Sequence, residues 1–299
     1  MSAPDIELLR LLPKVLRARD FHLYLEGGKR LTDLWLQGGR AILGHKPPRV
    51  LSELKNAAER GLFCSLPHPM ERRFIKALGE FFPGRFFRLY MHEASLFRAL
   101  EEAGYDGSFQ DPAFPLTAQQ QPVQQQPGKK LVSLWRPFID EMAANGSLRP
   151  DTVFIPVLPW PLGPAVLVLD KNADASFPPG DIIPPVLLAP AARALYDLAA
   201  AMKAKAPNRL SRRYPKIERV LGVSKPDVEK RQSCLWQRQG IYLTVEPGMD
   251  RYKYEDLFRR FLEGGFLIPP TPEEPVIMPG EMSQGEESQL AQLILVFSS

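Results

Sequence analysis

The run RLYMHEASLFRAL, residues 88–100, puts an apolar strand directly ahead of an amphipathic helix, with Tyr90, Met91 and His92 at the junction. A helix N-terminus just outside the carboxyl end of a strand is where open α/β sheets bind phosphates, because unpaired amides and the helix dipole favour an anion there. Glycines normally allow that close approach; here three large side chains stand in its place. On one reading Tyr90, His92, Glu93 and Ser95 make a small polar pocket for a carboxylate or a phosphate. On the other, His92 is an ordinary helix N-terminal residue, packed or solvated.

No second constellation competes with this junction. Cys64 and Cys234 stand far apart and alone, which points to buried, inert thiols and away from a disulfide framework. His22, His45, His68 and His92 show no metal-ligand spacing, so no metal is expected. No Ser-His-Asp spacing, glycine-rich nucleotide loop or HExxH motif supports a hydrolase, kinase or metalloprotease. Lys203 to Arg231 holds ten Lys or Arg against Glu218, Asp227 and Glu229. With no aromatic but Tyr214 among them, these charges read as a solvated surface, and a nucleic-acid partner is not expected.

The elements that must carry the junction follow from pattern. The chain has 299 residues, 44% hydrophobic and 24% charged, with net charge +4, values that suit a soluble globular fold with one large core or two smaller ones. No apolar run approaches the ~18 residues of a membrane span. The first twenty residues mix Asp, Glu and Arg into their apolar positions, unlike a signal peptide, so the expected location is the cytoplasm.

Leucines at helical spacing predict a helix over 4–19, interrupted at Pro13, and FHLYLEGGKRLTDLWLQ predicts a hairpin around Gly27 and Gly28. Helices are predicted over 48–62, 69–82 and 93–103, with a strand over 85–91. SFQDPAFPLTAQQQPVQQQPGKK is rich in Pro and Gln and reads as a flexible linker over about 106–130. KLVSLWRPF, TVFIPVLPW and PAVLVLDK are runs suited to a mostly parallel sheet. Residues 178–190 are too proline-dense for an interior helix, whereas 191–205 predicts one. CLWQRQGIYLTVEP reads as a strand pair or one long strand, 254–262 as a helix, FLIPP and EPVIMPG as short extended pieces, and 286–296 as a closing helix.

GKRLTDLWLQGGRAILGHKPPRV, residues 28–50, resembles the N-terminal region of the class III aminotransferases, enzymes of the pyridoxal-phosphate (PLP) fold type I group. Asp33, Gly38, Gly39, Leu43, Gly44, His45, Pro48 and Val50 follow that family's pattern in order, and Glu93-Ala94 falls at its Glu-Ala pair. GIYLTVEP and the sequence from Tyr254 onward are similar to its C-terminal small domain.

The resemblance implies an α/β fold of PLP-transferase type in reduced form. It would have a mostly parallel central sheet in a shortened large domain, residues 61–207, and a small α+β domain built from both chain ends, residues 1–60 and 208–299. It also implies a dimer, because the family builds its active sites between subunits: a homodimer, or a pairing with a related aminotransferase-like subunit.

The family's chemistry is only partly matched. Its phosphate turn, of Ser-Gly-Ser type, is replaced by Tyr90-Met91-His92. Loss of two or three charge-assisted hydrogen bonds at ~1.5–3 kcal/mol each would weaken binding by some three orders of magnitude or more. No aromatic residue lies between Phe114 and Trp135 to stack on the pyridine ring.

Asp170, ending AVLVLD, either partners the ring nitrogen or merely caps the next turn. The segment expected to carry the Schiff-base lysine, GDIIPPVLLAPAARAL, has none. Lys171 follows Asp170, so the two point to opposite faces unless the strand ends between them. The expectation is therefore a noncatalytic protein with no cofactor and no catalytic residue, acting as a structural or regulatory subunit or a small-anion binder. The alternative is a PLP enzyme using Lys171, Lys203 or Lys130.

Overall fold

A computed structural model of the chain describes residues 5–105, 109–114, 132–139, 152–203, 214–222, 235–246 and 248–297. These form two units, one from residues 1–46 with 205–299 and one from residues 47–204.

The first unit opens with α1 (Ile6–Leu9), whose N-cap Asp5 accepts from the Glu7 amide at 2.9 Å. The helix predicted over 4–19 ends there, and Val15–Arg19 is instead strand β1, paired antiparallel with β2 (His22–Leu25). Pro13 breaks the helix, and the chain beyond it gains a cross-strand contact, Arg17 stacking 4.2 Å from the centroid of the Tyr24 ring. The predicted hairpin forms: β2 meets β3 (Arg30–Asp33) antiparallel through Gly27 and Gly28, whose φ values of 82° and 80° suit glycine.

After β3 the chain makes a left-handed turn in which Leu36 and Gln37 take φ of 47° and 52°, at a cost of roughly 1–2 kcal/mol each. Asp33 holds it: Oδ1 accepts from the Trp35 and Leu36 amides at 2.9 Å each, and Oδ2 lies 2.8 Å from His45 Nε2. Gly44 is required beside this lock, since a Cβ would fall 3.1 Å from the Asp20 carbonyl oxygen at a φ of 87°.

The second unit starts with α2 (Pro48–Glu59) and α3 (Pro69–Gly79), both opened by proline at the first helical position. The boundary lies at 46/47, ahead of α2, because α2 packs on the long helix of this unit. Cys64, between α2 and α3, is exposed, which corrects the expectation of a buried thiol; Cys234 lies outside the described residues. There follow β4 (Phe86–Tyr90), α4 (Glu93–Glu102), β5 (Phe109–Gln110), β6 (Val132–Trp135), β7 (Val153–Pro156), β8 (Ala165–Leu169), the short α5 (Lys171–Asp174) and α6 (Pro185–Lys203).

α6 starts at Pro185, not at residue 191, and takes Pro190 into its interior. The proline leaves unmade the one bond it would have given the Val186 carbonyl, while Leu188, Ala191, Ala192 and Leu195 are buried and the helix packs on α2 and α3. Packing overrides the proline penalty here. The linker predicted over 106–130 is corrected at its start, where Phe109–Gln110 form β5 and pair with β6; residues 106–108 and 115–130 lie outside the described residues.

The remainder belongs to the first unit: α7 (Pro215–Val220), the antiparallel pair β9 (Trp236–Gln239) and β10 (Tyr242–Val245), α8 (Arg251–Glu263), β11 (Phe266–Leu267), β12 (Val276–Ile277) and α9 (Gln284–Val296). β11 joins β3 in parallel. α9 begins with a Ser283–Glu286 capping box, and Glu286 Oε1 also accepts from His22, Arg30 and Thr32 at 2.9–3.0 Å. Burial opposes ionisation of Glu286, but hydrogen bonds from Ser283, Thr32 and His22 outweigh it and bring its pKa down to about 2. Within the basic region, Lys216 is engaged by α9, its amide on Glu287 at 2.7 Å and its Nζ on the Gln284 carbonyl at 3.3 Å.

No helix among the described residues is long and apolar enough to cross a membrane.

Candidate functional site

The sheet of the second unit has the order β4-β8-β7-β6-β5. β5, β6 and β7 pair in parallel, and β8 runs antiparallel to both its neighbours. The expected parallel character thus holds along one side, and β8 is the reversed strand. β4, β5, β6 and β7 consequently end at one end of the sheet and β8 at the other. Ligands of open α/β sheets bind outside the carboxyl ends of the parallel strands, so the first of these ends is the candidate site.

Asp170 and Lys171 lie at the opposite end. The β4–β8 register pairs Phe86 with Leu169 and Tyr90 with Ala165, so about 13 Å of strand, at ~3.3 Å per residue, separates them from the β4–α4 junction. They cannot share a ligand with His92 and Glu93. Asp170 Oδ1 accepts from the Ala173 amide at 2.7 Å and caps α5, which is the turn-capping role. Lys171 is exposed as the first residue of that helix. Of the other two candidate amines, Lys203 is exposed at the end of α6 with Nζ 3.1 Å from Glu80 Oε2, and Lys130 lies outside the described residues.

At the junction itself the four proposed pocket residues do not converge. Tyr90, 3% exposed, turns inward to pack with Leu96, Leu100, Tyr105 and Phe177. Its hydroxyl is buried without a hydrogen-bond partner, and burial raises its pKa above the usual tyrosine value. His92 is the exposed N-cap residue of α4, and its side chain makes no capping bond. Glu93 and Ser95 are half-buried in the first turn.

The outer edge of β4 is covered by residues 180–181. The Asp181 amide donates to the Leu89 carbonyl at 2.7 Å, and the Met91 amide donates to Asp181 Oδ2 at 2.8 Å. Gly180 presses so close that a Cβ would lie 2.5 Å from the Leu89 carbonyl oxygen. The strap gives an edge strand partners it would otherwise lack.

The charged group at the candidate end lies toward the other edge of the sheet, at β6 and β5, with β8 and β7 between it and β4. Asp111 follows β5 and Arg136 follows β6, and the two meet as a bidentate pair. Arg136 Nε lies 2.8 Å from Asp111 Oδ1, and Arg136 Nη2 lies 2.7 Å from Oδ2. The Ala113 amide donates to the same carboxylate at 3.0 Å. The Arg136 side chain is 2% exposed and that of Asp111 15%. The sequence reading passed over both residues. The available signal was an arginine closing an apolar run where a strand end must be buried, since a buried cation demands a partner.

No three His, Cys, Asp or Glu side chains among the described residues are grouped so as to hold a metal ion.

No family model matches the chain. An uncharacterized protein of Treponema pallidum (strain Nichols) is 28% identical over 311 residues, covering 93% of each chain. Glutamate-1-semialdehyde 2,1-aminomutase of Thermus thermophilus is 31% identical over 71 residues, 24% of this chain and 17% of that one. Among solved structures, an (S)-enantioselective omega-transaminase from Thermomicrobium roseum superposes with a TM-score of 0.69 at 16% identity, covering 100% of this chain and 95% of that one. This chain has the PLP-dependent aminotransferase fold. The resemblance read at the two chain ends is thus matched by structural likeness over the whole length.

That fold implies PLP, whose aldehyde needs a lysine amine at the ligand end of the sheet. None of the residues following β4, β5, β6 or β7 among those described is a lysine. The described lysines of this unit, Lys55, Lys76, Lys171 and Lys203, are exposed, three of them on α2, α3 and α6 and Lys171 at the opposite end of the sheet. The ion pair described at the ligand end is buried, with Arg136 bidentate on Asp111. The donors described there do not fit the group.

Proposed function

We propose that this chain is a noncatalytic protein of the aminotransferase fold, acting in the cytoplasm as a structural or regulatory subunit, either as a homodimer or paired with a related aminotransferase-like chain. The observation that carries the reading is the absence, among the described residues, of a lysine amine at the carboxyl ends of β4–β7. Supporting it are Tyr90, which occupies core volume beside the former phosphate position, and Asp170, which is spent on capping α5.

The test is an absorbance spectrum of the purified protein with and without excess PLP, then borohydride reduction and peptide mapping. A spectrum unchanged by PLP is the expected result. A visible band with one reduced lysine adduct overturns the reading and names the amine, whether Lys130, Lys171 or Lys203. Sedimentation of the chain alone and with an aminotransferase-like partner tests the assembly: a chain that stays monomeric in both contradicts the subunit role.

A further inference from the structure

We infer that the Arg136 pocket is a carboxylate-recognition site which the chain fills with its own Asp111, so that the ligand end of the sheet carries a tethered internal ligand. The inference rests on the noncatalytic reading and specifies what occupies the place a ligand would take.

Three observations converge on it. The pocket lies at the carboxyl ends of β5 and β6, the parallel part of the sheet, where the fold class places ligands. Its donors are two guanidinium nitrogens in a fork, at 2.8 and 2.7 Å, the geometry that recognises a free carboxylate, while the Ala113 amide at 3.0 Å, two residues on, closes a turn of Asp111's own loop. Arg136 is 2% exposed, so water stabilises its charge less well than a carboxylate does if the anion is removed. Asp111 arrives from a strand of only two residues, and the part of it that touches the pocket is chemically a formate on a methylene stem.

Asp111→Ala deletes that formate and nothing else. The variant is expected to lose thermal stability in chloride buffer and to recover at least half of the lost Tm in formate, with a smaller recovery in acetate at equal ionic strength. Should it fail to fold in chloride, its refolding yield in formate against chloride is the readout. Asp111→Asn fills the same volume and leaves no vacancy, so formate is expected to leave it as it is. The wild-type protein is expected to show the same Tm in formate, acetate and chloride.

Asp111→Ala responding equally to formate and chloride overturns the inference and makes the pair an ordinary strand brace. So does formate stabilising Asp111→Asn as much as Asp111→Ala, or carboxylates stabilising the wild type. PLP binding by the wild type is a separate outcome: it removes the noncatalytic reading, while the formate response still decides the identity of the Arg136 pocket.

Discussion

The two ends of the five-stranded sheet in the second unit handle charge in opposite ways. Where β4 to β7 finish, Asp111 and Arg136 are drawn out of water and satisfy one another bidentately. Where β8 finishes, Asp170 turns back onto an amide of its own helix, and Arg88 meets Asp174 at 2.8 Å with both side chains about a quarter exposed. A buried pair strongly resists loss of one partner, because the other is left as an uncompensated charge. A partly solvated pair or a cap costs little to remove, because water takes over. Both ends use the same residue types, and the difference is one of degree: the Arg136–Asp111 side chains are 2% and 15% exposed, the Arg88–Asp174 side chains 25% and 23%.

Substitutions can break or sharpen that contrast. The largest expected effect is at the candidate site: Asp111→Asn should destabilise by about 3–5 kcal/mol, read as a lowered urea midpoint at unchanged slope, whereas Asp111→Leu with Arg136→Leu should recover most of the loss. Equal losses in the single and double variants would mean that the pair is not buried as described.

Next, Gly180→Ala should cost about 1–3 kcal/mol, since its Cβ must displace the Leu89 backbone and with it the strap on β4; an unchanged midpoint would show that the strap gives way freely.

At the opposite end, Asp170→Ala should cost about 1 kcal/mol as loss of an N-cap. A loss as large as that of Asp111→Asn would abolish the contrast.

Lys171→Ala, exposed at the start of α5, should stay within about 0.5 kcal/mol of wild type and leave the response to PLP unchanged. A PLP band lost in this variant alone would restore the enzymatic reading at the wrong end of the sheet.

Much of the local structure was legible. The β4–α4 junction, the hairpin at Gly27 and Gly28, the proline-opened helices α2 and α3 and the apolar runs of β6 to β8 follow from periodicity and turn chemistry. Two local readings failed where packing outweighed propensity: β1 forms because Arg17 and Ala18 find partners on β2, and α6 begins at Pro185 because its apolar face is buried from its first turn. The Asp33–His45 lock was present as a spacing of twelve residues, readable as a pattern though not as a contact. The Asp111–Arg136 pair was not readable, since twenty-five residues separate its partners and only the parallel alignment of β5 with β6 brings them together.

By itself, then, the sequence determined most of the strands and helices, though not β1 or the start of α6, that both chain ends resemble the aminotransferases, and that GDIIPPVLLAP carries no lysine. Tertiary structure alone decided direction. Periodicity gives the faces of a strand but not which way it runs in the sheet, so an Asp at a strand end could be placed at either edge until the reversal of β8 was known. That reversal puts Asp170 and Lys171 far from the junction they were read with, and it leaves Arg136 and Asp111 as the charged pair where a ligand would sit.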